Sequence, residues 1–412
     1  MSQDVVGSGT VGEIDPAGRV TEAERLRRWR LVLGGADDGT GERLGGDDQR
    51  IDAALAAVYD SQPPSRGNRR QGGLGASAPV VNRWLGDIRR YFPSSVVQVL
   101  QRDAIDRFDL KRLLLEPEIL SSLEPDVELV ATLLELKHLL PDTARATARE
   151  VVGRVTREVE ARVAERTRQA VTGALSRARR TRRPRHGDID WDRTIRANLR
   201  HYLPEYRTVV PEHLIGYGRR QSMVDREIVL AIDQSGSMAT SVVYAGIYGS
   251  VLAGIRSLKT SVIAFDTAVA DLTDALADPV DVLFGIQMGG GTDIAAAVSY
   301  CERLITQPAQ SVLILLTDLH EGGARDELAR RVGALVRRGV TCVVLLALSD
   351  DGAPSYDRDQ AAALAALGVA AFACTPERFP DLIAAALDGR DLAQWASRSG
   401  LVTATPAPTR VR

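Results

Sequence analysis

The chain has 412 residues, 44% of them hydrophobic, with 52 Lys and Arg set against 54 Asp and Glu. That length and apolar content suffice for a large core and two or three domains, and the near-zero charge balance excludes a global pull towards nucleic acid or any strongly charged partner. No run of eighteen apolar residues occurs and the first twenty residues lack the apolar core of a secretory signal, so no membrane insertion is expected. The three cysteines, Cys301, Cys342 and Cys374, are far apart and read as buried free thiols, which fits a cytoplasmic location.

Residues 1–19 are polar and Gly-rich and are expected to be disordered. Residues 20–78 read as short helices with a Gly/Pro linker. Thr21–Leu33 has Thr21 as its N-cap and Gly34-Gly35 as its stop. A glycine loop with Asp37, Asp38, Asp47 and Asp48 lacks the spacing of a calcium loop and reads as solvated. A helix at Asp48–Tyr59 and a linker over 61–79 follow.

Residues 79–185 read as an α-helical domain, with apolar residues at three- and four-residue steps and stops at Pro93, Pro117, Pro125 and Pro141. Its last helix runs from Thr143 to about Arg180. Val151, Val155, Val159 and Val163 give that helix a narrow apolar stripe, expected to pack within the chain. The helix ends in a basic run, Arg177, Arg179, Arg180, Arg182, Arg183 and Arg185, with no acid between them. No aromatic stacking platform accompanies the run, so it reads as cations that complement the helix C-terminus or pair with an acidic partner surface, ahead of nucleic acid. In the connector 186–226, Asp190 or Asp192 reads as a helix N-cap and Trp191 as a packing anchor.

From 227 to 387 strand and helix patterns alternate, which predicts an α/β domain with a mostly parallel sheet and helices on both faces. The expected helices include Ser241–Leu258, Ile294–Ile305, Arg325–Arg338, Gln360–Leu367 and Phe379–Leu387. The expected strands include Ser261–Phe265, an antiparallel edge near Val269–Leu272, Val312–Thr317, Val340–Leu348 and Ala370–Ala373. Residues 388–412 read as a C-terminal tail carrying Trp395.

The first strand, Ile228–Ile232, delivers Asp233, Ser235 and Ser237 into a tight loop around Gly236. Gly289-Gly290-Gly291-Thr292-Asp293 is a glycine loop that ends in a hydroxyl just before a helix. Val312–Leu316 is another apolar strand and runs into Thr317-Asp318. Ligands in open α/β sheets bind at the carboxyl ends of strands, and this set of hard oxygens suits Mg²⁺ or Mn²⁺.

The order Asp233-x-Ser235-x-Ser237, then Thr292, then Asp318 resembles the metal-ion-dependent adhesion site of von Willebrand factor type A (VWA) domains. A closer resemblance is to the bacterial CoxE-like branch. It rests on the helical region before the domain, the segment Asp190-Trp191-Asp192-Arg193-Thr194-Ile195-Arg196-Ala197-Asn198-Leu199, and Asp233-Gln234-Ser235-Gly236-Ser237-Met238 itself. The resemblance implies a Rossmann-like domain without catalytic activity. It implies Mg²⁺ (or Mn²⁺) held through Ser235, Ser237 and Thr292, with Asp233 and Asp318 orienting these ligands through waters. Such an ion keeps much of its charge and can take a carboxylate from outside. Gly236, Met238, Gly290, Gly291, Asp293 and His320 are expected along the loop and rim, with Met238, Leu319 and His320 within reach of a partner. The family is typically encoded beside a MoxR-type AAA+ ATPase, which implies an adaptor that recruits a client protein presenting Asp or Glu. No Gly-x-x-x-x-Gly-Lys-Ser/Thr pattern occurs, so the chain is not itself the ATPase.

Two other functions fit parts of the sequence. A metal hydrolase could draw a base from His320 or Glu321. An RNA-binding VWA protein could use Arg177–Arg185, although the helical half shows no repeat period.

Overall fold

The computed structural model describes residues 25–27, 30–31, 44–59, 78–108, 110–178, 180–181, 189–217, 226–287, 290–320, 325–349, 355–401 and 403. The expectations for residues 1–19, for the loop around Asp37 and Asp38, for the linker over 61–77 and for most of the Thr21–Leu33 helix lie outside these residues. So do those for Arg179, Arg182, Arg183, Arg185, Gly289 and Glu321. The chain divides into two compact units: residues up to Leu129 with Leu139–Val151, and Val130–His138 with everything from Val152 onwards.

The first unit is helical. It contains α1 (Asp47–Tyr59), α2 (Ala78–Tyr91), α3 (Ser94–Phe108) and α4 (Pro117–Ser122), and the unit boundary runs through α5 (Val127–Leu136) and α6 (Asp142–Ala178). Val81, Leu85, Ile88, Leu100, Leu114 and Leu120 are buried at its centre, and Trp84 Nε1 donates to Ala54 O at 2.9 Å. The prolines act as starts as much as stops. Pro117 occupies the first turn of α4, where its missing N–H costs nothing. The Pro93 and Pro141 carbonyls accept the first amides of α3 and α6. The valine stripe of α6 is buried. In the second unit, Arg166 of this helix pairs with Asp381 at 2.7 Å.

Two short ribbons follow, β1 (Arg180–Thr181) with β4 (Gly216–Tyr217) and β2 (Tyr202–Leu203) with β3 (Thr208–Val209), with α7 (Trp191–Ala197) between them in the chain. Asp190 caps α7, accepting from Arg193 N at 3.0 Å. The expected anchor is corrected: Trp191 is 45% exposed, while Thr194 and Asn198 are buried. Thr194 and Asn198 fall four residues apart and turn inward together, so the ring beside the cap faces out.

The main sheet holds β5 (Arg226–Asp233), β6 (Leu258–Phe265), β7 (Val269–Asp271), β8 (Ser311–Leu316), β9 (Thr341–Leu348) and β10 (Ala370–Cys374). Their order is β10-β9-β8-β5-β6-β7, parallel except for β7 at the edge. The intervening helices are α8 (Ala239–Ala253), α9 (Pro279–Gly285), α10 (Ile294–Leu304), α11 (Arg325–Arg337), α12 (Arg358–Ala366), α13 (Phe379–Leu387) and α14 (Leu392–Arg398). Buried on both faces, the central strands β5, β8 and β9 are nearly continuous apolar runs. Val229 and Ala231 join Ile294, Val298, Leu328 and Val332 of α10 and α11 in one core. Ile228, Leu230 and Ile232 alternate to the other face, where Tyr248 of α8 meets Phe379 of α13 at 4.6 Å.

Two boundaries differ from expectation. The helix expected to reach Leu258 stops at Ala253, capped by Gly254, and Leu258 opens β6. The region after 387 is not all tail: α14 docks Trp395 against Phe372 at 6.1 Å. All three cysteines are free and buried. Among the described residues no helix is long and apolar enough to cross a membrane.

Candidate metal centre

The chain leaves β5 towards β6 on one side, while β8, β9 and β10 build out on the other. The crevice outside the ends of β5 and β8 is therefore the switch point of the sheet. In register, Ile232 sits opposite Leu316 and Asp233 opposite Phe265. Asp233 Oδ2 accepts from Thr317 Oγ1 at 2.6 Å, which locks the two strand ends together. Asp233 Oδ1 accepts from Ser235 N at 2.9 Å, and this bond bends the chain into the 3₁₀ turn Gly236–Met238.

The turn sets the Ser235 and Ser237 hydroxyls 3.2 Å apart. Ser237 Oγ donates to Asp318 Oδ2 at 2.6 Å, and Asp318 Oδ1 accepts from His320 N at 3.1 Å. Four of the five expected ligand residues thus form one hydrogen-bonded set. Asp233 and Asp318 are buried beneath it, Ser235 is half-buried, and Gly236 and Ser237 are exposed.

Thr292 reaches the same sheet end by another route. Asp293 N donates to Asp266 O, just past β6, at 2.8 Å. Gly290 has φ +120°, and a Cβ there would come within 3.3 Å of Asp266 Oδ2. A side chain at position 290 would strain the backbone at this φ and crowd the Asp266 carboxylate. Gln234, buried beside Asp233, accepts from Gln287 N through Oε1 at 2.6 Å, tying the serine turn to the chain entering the glycine loop.

The electrostatics favour a cation. Burial, and secondarily the negative charge of Asp318, push the Asp233 carboxyl above the usual carboxylate range, against hydrogen bonds from Thr317 and Ser235 that act the other way. The described partners of both carboxylates are hydroxyls and backbone N–H groups, with no cationic side chain among them. Two acids and two hydroxyls around one point suit a hard divalent ion. Among the described residues no three His, Cys, Asp or Glu side chains cluster as a metal cage, so the hydroxyls would be needed as ligands.

Two rim expectations are corrected, those for Met238 and Leu319. Met238 is fully buried and offers a partner nothing, because the 3₁₀ turn rotates it inward. Leu319 is also fully buried and takes φ +64°, and its N–H donates to Thr317 Oγ1 at 3.1 Å. Asp293 caps α10, accepting from Ala296 N at 2.8 Å. His320 is exposed, with Nε2 3.2 Å from Ser355 O. Gln234 and Thr317 carry roles the sequence reading did not assign. The one signal in the sequence was their position, each beside a motif aspartate. The side chains of Arg177 and Arg180 are not among those described.

The family described as "VWA domain containing CoxE-like protein" matches residues 163–383, just over half the chain. The uncharacterized protein YehP of Escherichia coli (strain K12) is 38% identical over 354 residues, which span 85% of this chain and 93% of that protein. The chain belongs to the CoxE-like family of VWA proteins. Among solved structures, a von Willebrand factor type A protein from Catenulispora acidiphila is 18% identical to this CoxE-like chain. That match covers 40% of this chain and 43% of the other, with a TM-score of 0.31. An aerotolerance-related membrane protein from Bacteroides fragilis NCTC 9343 is 16% identical over 40% of this chain and 99% of its own, with a TM-score of 0.32.

Proposed function

We propose that this protein is a Mg²⁺-dependent protein-interaction module, an adaptor that presents a client to a MoxR-type AAA+ ATPase in the cytoplasm. The supporting observation is the pair of buried carboxylates with no cationic partner among the described residues, topped by two adjacent hydroxyls at the switch point of the sheet. Ser235, Ser237 and Thr292 would hold the ion, with Asp233 and Asp318 behind them. A bound divalent cation supplies a hard positive charge with room for one outside oxygen.

The chain's own residues set up that exchange. Thr317 and Ser235 N hold both oxygens of Asp233, so its carboxylate cannot swing away. Asp318 orients the Ser237 hydroxyl. Gly236, exposed and without a side chain, leaves the approach open to an Asp or Glu of the client. Family membership supports the ATPase as partner. A binding role is favoured over hydrolysis because, among the described residues, the motif hydroxyls and carboxylates bond to one another, to Thr317 and to backbone N–H groups, and no imidazole or amine is hydrogen-bonded to them.

Affinity purification from native lysate tests this reading, with and without chelator, comparing wild type with Asp233→Ala. A hexameric ATPase recovered only with metal-loaded wild type is the expected result. Equal recovery by the variant, or in chelator, overturns it.

A further inference from the structure

Four of the five expected ligand residues are fixed by bonds among themselves and to Thr317, at the ends of β5 and β8. None of these bonds reaches Thr292, so its place depends on how the glycine loop is anchored at its two ends. The exit is held by Asp293 N, which donates to Asp266 O at 2.8 Å. The entry is held at the peptide between Ile286 and Gln287, and there a side chain from far upstream takes part.

Lys137 lies in the turn after α5, and Val130–His138 belongs to the same compact unit as the metal centre. Its Nζ donates to Phe284 O at 2.8 Å and to Ile286 O. Both carbonyls stand at the C-terminal end of α9, whose last turn carries no basic residue of its own. The N–H of the same Ile286–Gln287 peptide is bound as well: Gln287 N donates to Gln234 Oε1 at 2.6 Å. In a trans peptide the C=O and N–H point opposite ways. One peptide unit is therefore clamped between an ammonium and the residue that sits between Asp233 and Ser235. A cation on the C=O polarises the peptide and strengthens the N–H bond to Gln234. Gln234 has no slack to give, being 3% exposed with its own N–H on Phe265 O at 2.9 Å.

The simpler account of Lys137 is a helix cap, since cations complement the free carbonyls at a helix C-terminus. Lys259 supplies the comparison. Its Nζ donates to Leu304 O, the last residue of α10, at 3.3 Å, and pairs with Glu227 at the opposite end of β5 from Asp233. Both lysines cap a helix. Only the carbonyl held by Lys137 leads, through a single peptide, to a residue of the metal-binding turn. Lys137 is also half-buried, and burial pulls its ammonium below the usual lysine range.

We propose that Lys137 is a positioning residue of the metal centre, fixing the entry of the glycine loop so that Thr292 is placed for the cation. It acts through the Ile286–Gln287 peptide and Gln234, and it rests on the reading of this site as a cation centre.

The test titrates Mn²⁺ into the full chain and follows the free ion by electron paramagnetic resonance. Lys137→Met should bind about tenfold more weakly than wild type, equivalent to ~1.4 kcal/mol. Lys137→Arg, which keeps a charged donor, should recover most of that loss. Lys259→Met, which removes the comparable cap at the far end of the sheet, should bind as wild type does. In chelator, the amide-proton resonance of Gln287 should move upfield and exchange faster in Lys137→Met and stay in place in Lys259→Met. If Lys137→Met does not fold, the uncharged and shorter Lys137→Gln is titrated in its place and must show the same loss. Wild-type affinity in the Lys137 variant, an equal loss in Lys259→Met, or an unmoved Gln287 resonance overturns the proposal and leaves the cation centre standing. A wild-type chain that binds no Mn²⁺ removes the cation centre itself, and the proposal with it.

Discussion

Glu227 and Asp233 stand at opposite ends of β5 and respond to folding in opposite senses. Burial alone would raise the Glu227 carboxyl. It is outweighed by donors from the Thr306 hydroxyl, Gln307 N, the Ser311 hydroxyl and Thr306 N, which together hold it down at about 2. A carboxylate held down in the fold adds stability above its unfolded value, and that stability is lost as pH falls through the folded one. The drop from 4.5 to about 2 corresponds to about 3 kcal/mol. Glu227→Gln should therefore cost about 2–3 kcal/mol at neutral pH and flatten the loss of stability between roughly pH 5 and 2. Urea melts across that range check both, and a variant as acid-sensitive as wild type would refute the assignment. Asp233, pushed upward, carries the reverse sign: its contribution is present at low pH and lost as pH rises through its raised value. Asp233→Asn removes that burden. In chelator the variant should melt at or above the wild-type temperature, and added Mg²⁺ should raise the melting temperature of wild type alone.

At the scale of the element, close packing decides which glycines can change. A Cβ at Gly249 of α8 would lie 2.8 Å from Val262 Cγ2 on β6. Valine in a strand has little rotamer freedom to give way. Gly249→Ala gains up to about 1 kcal/mol of helix propensity and loses about 1–3 kcal/mol to overpacking. The expected outcome is a net loss, read by thermal melting. At Gly153 of α6 the nearest obstacle is the guanidinium of Arg157 at 3.2 Å, which can swing aside. Gly153→Ala should be neutral or stabilising in the same assay.

These packing details separate what the sequence carries from what it hides. β5 and β8 were legible because each is an unbroken apolar run that ends at an aspartate, and five oxygen-bearing positions in fixed order marked the site. The end of α8 was hidden because its apolar pattern continues through Ile255 and Leu258 into β6. Met238 and Leu319 look like rim residues in a polar loop. A 3₁₀ turn in one case and a left-handed backbone in the other turn them into the core, and neither conformation leaves a periodic trace. Trp191 looked like an anchor by size, yet Thr194 and Asn198 hold the segment through bonds to residues up to 21 positions away. Long-range polar pairing of that kind has no local signature.

For the molecule as a whole, the division into two compact units makes metal binding a regional event. Asp233, Ser235, Ser237, Thr292 and Asp318 all belong to the unit that runs from Val152 onwards. A ligand that binds only the folded form stabilises it by about 2.7 kcal/mol at a hundred times its dissociation constant. That energy reaches only the residues that unfold together with the site. Saturating Mg²⁺ should therefore slow amide exchange in β5, β6 and β8 by roughly a hundredfold, while α2 and α3 of the helical unit exchange at unchanged rates. Peptide-resolved hydrogen exchange with Mg²⁺ and with chelator measures this directly. Equal slowing in both units would mean that they open as one cooperative block. No slowing in either would remove the cation, and with it the account of two buried carboxylates that have no positive partner among the described residues.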